Sequence, residues 1–265
     1  NLISKKGTTP DIAGEIAQEG LDNWKGRFLT NYRTLKTKTE QALPPTTPAK
    51  ASNYDAALTS LITPNPGAAS STAIGIDRAL VDRAKALAAD LQAGNLTVSA
   101  LKQIKEDIGQ IAFPKFGMMV DKNQGEYIKL YRALSDDLLD AAKAEDARAG
   151  SVGGAVAAQK TENAYYSAGQ ERIRDFYNKV WKKADPEKAF NSLLSDNGEM
   201  LRTTMKALTK PERDAFASAT LEWMGKTKPG VRTSENPFSA ETFLTQWNAM
   251  SDKTKRALFS GNSNP

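Results

Sequence analysis

Asp136, Asp137 and Asp140 form the densest acidic cluster in this chain of 265 residues. Carboxylates one helical turn apart suit either a divalent cation or an acid and base pair. A hard cation normally takes more oxygen ligands than these three residues supply, and Ser135 followed by acidic residues also matches the composition of a helix N-terminus. Capping or simple solvation is therefore the preferred reading. The chain has no cysteine and no histidine, which removes disulfides, thiolate nucleophiles, Cys-based zinc sites, the usual general base and the commonest transition-metal ligand. Carboxylates, Lys, Ser and Tyr remain, so catalysis is disfavoured without being excluded. The expectation is a non-enzyme with no catalytic residue, no metal and no cofactor.

Two other constellations could contact partners. Arg172, Lys179 and Lys183, with Lys182 beside them, fall on one side of a predicted helix and could track phosphates, though an amphipathic helix also presents such a row to water. Trp24, Phe28 and Tyr32 recur at four-residue spacing and form either a partner-binding stripe or part of a core. At the other end, Ser239 can cap a helix that places Phe243 and Trp247 one turn apart, and Ser251 a second that carries Leu258 and Phe259. The first of these helices has no basic residue between Ala240 and Met250, so a membrane-surface anchor is the weakest reading of its apolar face. The Gly-rich "SVGG" and "NPGAASS" lack the Lys-Ser/Thr ending of a phosphate-binding loop.

The elements that must position these residues are predicted to be helices throughout. Hydrophobic residues make up 40% and charged residues 25% of the chain, with few β-branched runs, which favours helix over sheet. The fold class is therefore all-α, a multi-helix bundle with an N-terminal helical arm and a C-terminal helical hairpin. Thr9 and Pro10 open the first helix, and "PPTTPAKAS" after Leu43 reads as a linker that frees it as an arm. Pro64, Pro66 and Gly67 mark a break, Ile76, Leu80, Leu87 and Leu91 a helical stripe, and Pro114 and Gly117 another break. Asp185 and Pro186 restart the chain after a long helix, "TKPE" from Thr209 to Glu212 has capping-box spacing, and Gly225 stops the helix that follows. The predicted organisation is an arm and linker over 1–50, a helical bundle over 51–149, and a second helical unit over 150–265.

Charge separates the halves only mildly. Residues 1–150 carry 19 basic and 18 acidic side chains and residues 151–265 carry 17 and 13, for a formal total of +5. A mixed, solvated surface accounts for this better than a dedicated nucleic-acid patch. No run is long and apolar enough for a transmembrane helix, and "NLISKKGTTPD" lacks the core of a signal peptide. The chain is expected to be soluble, and the missing initiator Met suggests a processed chain or a segment of a longer polypeptide.

The order "NYDAALTSLI", "LYRALSDDLLDAA", "ENAYYSAGQERI", "PEKAFNSLL", "LTKPERDAFASATLEWMG" and "FSAETFLTQWNAMSDKTKRALFSG" resembles helical segments of large virion-associated proteins of tailed bacteriophages and prophages. The "YRALSDDL" and "FSAETFLTQWN…RALF" blocks are its most specific parts. The resemblance implies a structural, non-enzymatic part of a phage particle, an internal or ejection protein that helps the genome cross the bacterial envelope. It implies location in the virion, in the capsid interior or with the tail, with delivery to the host envelope on infection. The implied partners are copies of itself and other virion proteins, with non-specific contact to DNA and no integral membrane segment. Some such proteins also carry a lytic transglycosylase domain with a catalytic Glu-Ser pair, and this chain contains no Glu-Ser. The alternatives are a sequence-nonspecific nucleic-acid-binding protein and the non-catalytic part of a larger peptidoglycan-degrading protein.

Overall fold

A computed structural model describes residues 10–62, 96–113, 124–150, 154–195, 197–226 and 238–259. The protein is all-α: the described residues form ten α-helices and no strand. In chain order these are α1 (Pro10–Ala42), α2 (Ser52–Ile62), α3 (Val98–Ala112), α4 (Gln124–Ala149), α5 (Gly154–Phe176), α6 (Pro186–Ser195), α7 (Glu199–Ala207), α8 (Lys210–Met224), α9 (Ala240–Ala249) and α10 (Asp252–Leu258). A single π-helical turn, Tyr177–Trp181, follows α5. The expected stripe from Ile76 to Leu91, Thr9, and the breaks at Pro64 to Gly67 and Pro114 to Gly117 lie outside the described residues.

Several helix ends follow from local side chains. The hydroxyls of Thr97, Ser239 and Ser251 accept from the backbone N–H three residues on, closing the N-termini of α3, α9 and α10. Thr209 and Glu212 complete the expected capping box, with the Thr209 N–H donating to Glu212 Oε2 at 2.7 Å. Asp185 Oδ1 accepts from the Glu187 N–H at 3.0 Å at the start of α6.

The chain divides into two compact units, Asn1–Asn31 with Ala168–Pro265, and Tyr32–Ser167. This division departs from the expected boundaries near 50 and 150, because α1 and α5 each supply residues to both units. A 33-residue helix is about 50 Å long, enough to serve two cores.

In the first unit, Ala13, Ile16, Ala17 and Leu21 of α1 share a core with Phe176, Val180, Phe190, Leu193, Leu201, Met205, Phe216 and Leu258. The first part of α1 is thus core rather than a free arm, and the expected semi-independence fails because these side chains are buried. Polar ties reinforce the packing: Gln18 donates to the Lys183 carbonyl at 3.0 Å, Asn23 to Glu212 at 2.9 Å, and Arg27 to the Ala207 carbonyl at 2.8 Å. α9 packs chiefly on α8, and α10 on α7.

In the second unit, Leu43, Tyr54, Leu58, Leu101, Ile108, Tyr127, Leu130, Leu134 and Leu138 form the core between α2, α3, α4 and the end of α1. The segment "PPTTPAKAS" is no free linker here. Its Thr47 carbonyl accepts from the Val98 N–H at 3.0 Å, the Ala49 N–H donates to Leu96 at 2.9 Å, and the Pro45 carbonyl accepts from the Ser99 N–H at 2.9 Å. Prolines cannot donate, so carbonyls and the few remaining N–H groups do the pairing.

Candidate functional site

The described residues with large apolar side chains left in solvent concentrate at one place. Phe238 is 45% exposed, Leu244 55% and Phe259 38%; Phe113, 54% exposed, belongs to the other unit. Phe238 leads into α9, Leu244 lies on it, and Phe259 ends α10. α9 has no fully buried residue, so its apolar side meets the rest of the unit only at its edge.

The rings form a row. Phe238 and Phe243 have centroids 5.7 Å apart, Phe243 and Trp247 stack at 5.9 Å with 15° between planes, and Trp247 meets Phe259 at 6.2 Å. Lys255 places its ammonium 5.4 Å from the centre of the Trp247 ring, a cation–π contact beside the stacking of that ring with Phe243. Phe238 is held from below: its ring lies against Gly225, where any Cβ would collide with it, and the Ser239 N–H donates to the Gly225 carbonyl at 2.7 Å. The row is therefore an ordered surface on a fixed base. It offers aromatic faces and one aliphatic side chain, with Lys253 and Arg256 exposed nearby.

Phe243 and Trp247, the expected docking residues, both lie in this row and both are half-buried. The other three docking candidates do not join them. Phe28 is 4% exposed, stacks on Trp24 at 5.8 Å, and presses its ring against Gly169. Trp24 packs its edge on Phe176 at 5.2 Å and borders the core of its unit. Tyr32 belongs to the other unit, where its ring meets Tyr166 at 4.8 Å and its hydroxyl donates to Glu162 Oε1 at 3.3 Å. Of the two readings of the Trp24, Phe28 and Tyr32 stripe, internal packing describes Phe28, which is buried, while Trp24 and Tyr32 are half-buried against their own units.

The basic row also changes. Arg172 and Lys182 are exposed, whereas Lys179 and Lys183 are half-buried. Between them runs the π-helical turn, closed by the Lys182 N–H donating to the Tyr177 carbonyl at 2.8 Å, five residues back. Each π-helical residue advances the chain by a smaller angle than an α-helical one, so spacing counted at 3.6 residues per turn does not carry across this turn.

The acidic cluster resolves into separate jobs. Asp137 is buried and accepts from the N–H groups of Asn53 and Tyr54, while Asp140 is exposed and pairs with Lys143 at 2.8 Å. No group of three or more metal-ligating side chains occurs among the described residues, and no helix among them is long and apolar enough to cross a membrane. Compared with known protein families, characterised proteins and solved structures, the chain matches none.

Proposed function

We propose that this chain is a non-enzymatic structural component of a tailed-bacteriophage particle, an internal or ejection protein that assembles with copies of itself and other virion proteins to assist genome delivery across the bacterial envelope. The observation that carries the reading is the aromatic row from Phe238 to Phe259. The stretch of sequence with the most specific resemblance to phage virion proteins is also the one that keeps large apolar side chains in water, and large aromatics at a surface are what protein interfaces bury.

The rest of the chain is consistent with such a role. It lacks the His and Cys on which most catalytic sites depend. Its two compact units each have a core of their own, so one can open while the other holds, as a protein that rearranges on delivery requires. The net charge of +5 suits contact with packaged DNA without sequence preference.

The direct test is mass spectrometry of purified particles from a lysogen or lysate that encodes the chain. The polypeptide is expected at defined copy number in the virion, and its absence from particles would sink the reading.

A further inference from the structure

A second group of side chains, in the unit spanning Tyr32–Ser167, has nothing to do with the aromatic surface. Lys105 on α3 sits at core spacing, four residues after buried Leu101 and three before buried Ile108. Its ammonium donates to Asn163 Oδ1 at 3.1 Å and lies 4.9 Å from the centre of the Tyr131 ring. Neither contact is a carboxylate.

The neighbours come from four helices. α3 itself adds Lys102, whose ammonium is buried without a hydrogen-bond partner, and Glu106, which pairs with Lys36 of α1 at 3.3 Å. α4 supplies Tyr131. α5 supplies Gln159, Glu162, Asn163 and Tyr166, with Gln159 2% and Glu162 6% exposed. Glu162 spends one oxygen on the Tyr32 hydroxyl, and its other oxygen has no partner. Burial strips the amine of water and Lys102 sets a second cation beside it, two conditions that favour a free amine over an ammonium; Glu162 and the contacts to Asn163 and Tyr131 favour the ammonium, and burial outweighs Glu162.

We propose that Lys105 is a nucleophilic amine that condenses with small aldehydes or ketones, a covalent attachment site in the second unit. The ammonium first releases a proton to water. The nitrogen lone pair then attacks the carbonyl carbon, the carbonyl oxygen leaves as water, and an imine remains on Lys105. No oxidant or reductant takes part. The Lys105 pKa is lowered to about 8, chiefly by burial, with Glu162 opposing and Lys102 adding a smaller push downward. Near pH 7 about one amine in ten is then free, against about one in three thousand for an ordinary lysine. Weaker basicity costs some nucleophilicity, which leaves an advantage on the order of tenfold.

The test is reductive alkylation of the full chain with limiting acetaldehyde and cyanoborohydride, followed by peptide mass spectrometry. Lys105 is expected to be labelled about tenfold faster than exposed Lys129, Lys143 and Lys188, with a rate midpoint near the pKa given above, and the preference should vanish in concentrated urea. Labelling that simply follows exposure, leaving Lys105 among the slowest, would overturn the proposal. Two variants separate charge from access. Lys102→Met removes the neighbouring cation and is expected to slow labelling of Lys105 at least twofold, although it opens the site; Glu162→Gln removes the opposing carboxylate and is expected to accelerate it. Faster labelling in Lys102→Met would mean that access governs the rate, and the proposal fails.

Discussion

The carboxylate of Asp137, midway along α4, holds Asn53 twice: its Oδ1 accepts the Asn53 backbone N–H at 2.8 Å and the Asn53 side-chain amide at 2.9 Å. Its Oδ2 takes the Tyr54 N–H at 2.9 Å. A residue 84 positions away thus caps α2, and the same device recurs at Asp146, whose oxygens accept from the Ala155 and Val156 N–H groups at the start of α5 at 2.7 and 3.1 Å. The N-terminus of a helix carries unpaired donors and a partial positive charge, so a buried carboxylate is a favourable partner. Burial pushes the Asp137 carboxyl above its ordinary pKa, while the Asn53 and Tyr54 donors pull against it.

Asp137→Ala is therefore expected to leave the first N–H groups of α2 unpaired inside the protein and to cost about 2–3 kcal/mol. Asp140→Ala, three residues on, loses an exposed pair to Lys143 and an amide contact to Asn53, and is expected to cost about 0.5 kcal/mol or less. Urea denaturation of both variants measures the difference. Equal losses would mean that the two carboxylates act as one acidic cluster rather than as a cap and a surface charge.

The second unit is expected to gain stability between pH 8 and 10 and to lose it above. Lys105 has a folded pKa of about 8 against an ordinary 10.5, so its protonated form is penalised in the fold; the penalty is complete below about 8 and is relieved as pH rises towards 10.5. Tyr54 and Tyr131 are pushed up by burial to about 12 from 10.0, so their contribution is intact below 10 and lost as pH climbs towards 12. Tyr32 is raised as well, by burial first and by Glu162 second. Unfolding midpoints measured across this range should rise and then fall. Lys105→Met should raise the midpoint at neutral pH and flatten the rising limb, because it removes a buried charge that lacks a direct carboxylate partner.

What was legible in the sequence was local. Ser239, Ser251 and the Thr209–Glu212 pair act within four residues, and each caps the helix that its spacing predicts. The all-α class follows from the same short-range signals. Asp137 was not legible as a cap for α2, because a carboxylate in mid-helix carries no mark of which distant N-terminus it meets. The π-helical turn at Tyr177–Trp181 adds no Gly or Pro to announce itself, and spacing counted at 3.6 residues per turn does not carry across it. The Lys105 group left a trace that was available: Ala155, Gln159 and Glu162 recur at core spacing, and so do Leu101, Lys105 and Ile108. Polar residues at apolar positions are the signal, and pairing them needs the tertiary fold. The Trp24, Phe28 and Tyr32 stripe shows the converse, since periodicity marks an apolar face without saying what covers it.

Leu244→Glu isolates the aromatic surface from the fold beneath it. Leu244 is 55% exposed on α9, so a charge there is expected to change the unfolding free energy by about 0.5 kcal/mol or less. If the row docks other virion proteins, that charge must be buried against an apolar partner, and incorporation into particles is expected to fall at least tenfold. Quantitative mass spectrometry of particles carrying the variant reads this directly. Normal incorporation of a folded Leu244→Glu chain would remove the aromatic row from the assembly contact.

Deletion of residues 1–50 distinguishes packing from display at the other end. The deletion strips Ala13, Ile16, Ala17 and Leu21 from one core and Leu43 from the other, all of them buried. Each lost large side chain costs about 2–5 kcal/mol in a core that cannot close over the gap. The truncated chain is expected to lose its cooperative unfolding transition, followed by circular dichroism. A truncated chain that unfolds cooperatively and only loses oligomers by light scattering would restore the N-terminal arm.

Gly198 tests how α10 is seated. It begins α7 with φ at 78°, in the left-handed region, and a Cβ there would come within 2.7 Å of the Thr254 backbone on α10. Gly198→Ala thus meets backbone strain and a collision with a helix whose Thr254 and Leu258 are buried, at a combined cost of about 3 kcal/mol. Gly26→Ala in mid-α1 meets nothing within 4 Å and is expected to stabilise by about 0.5–1 kcal/mol through helix propensity alone. Displacing α10 also moves Phe259 and Lys255 away from Trp247, so Gly198→Ala should alter tryptophan fluorescence in the native state while Gly26→Ala does not. A native spectrum unchanged in Gly198→Ala would mean that the aromatic row is held by α8 and α9 alone.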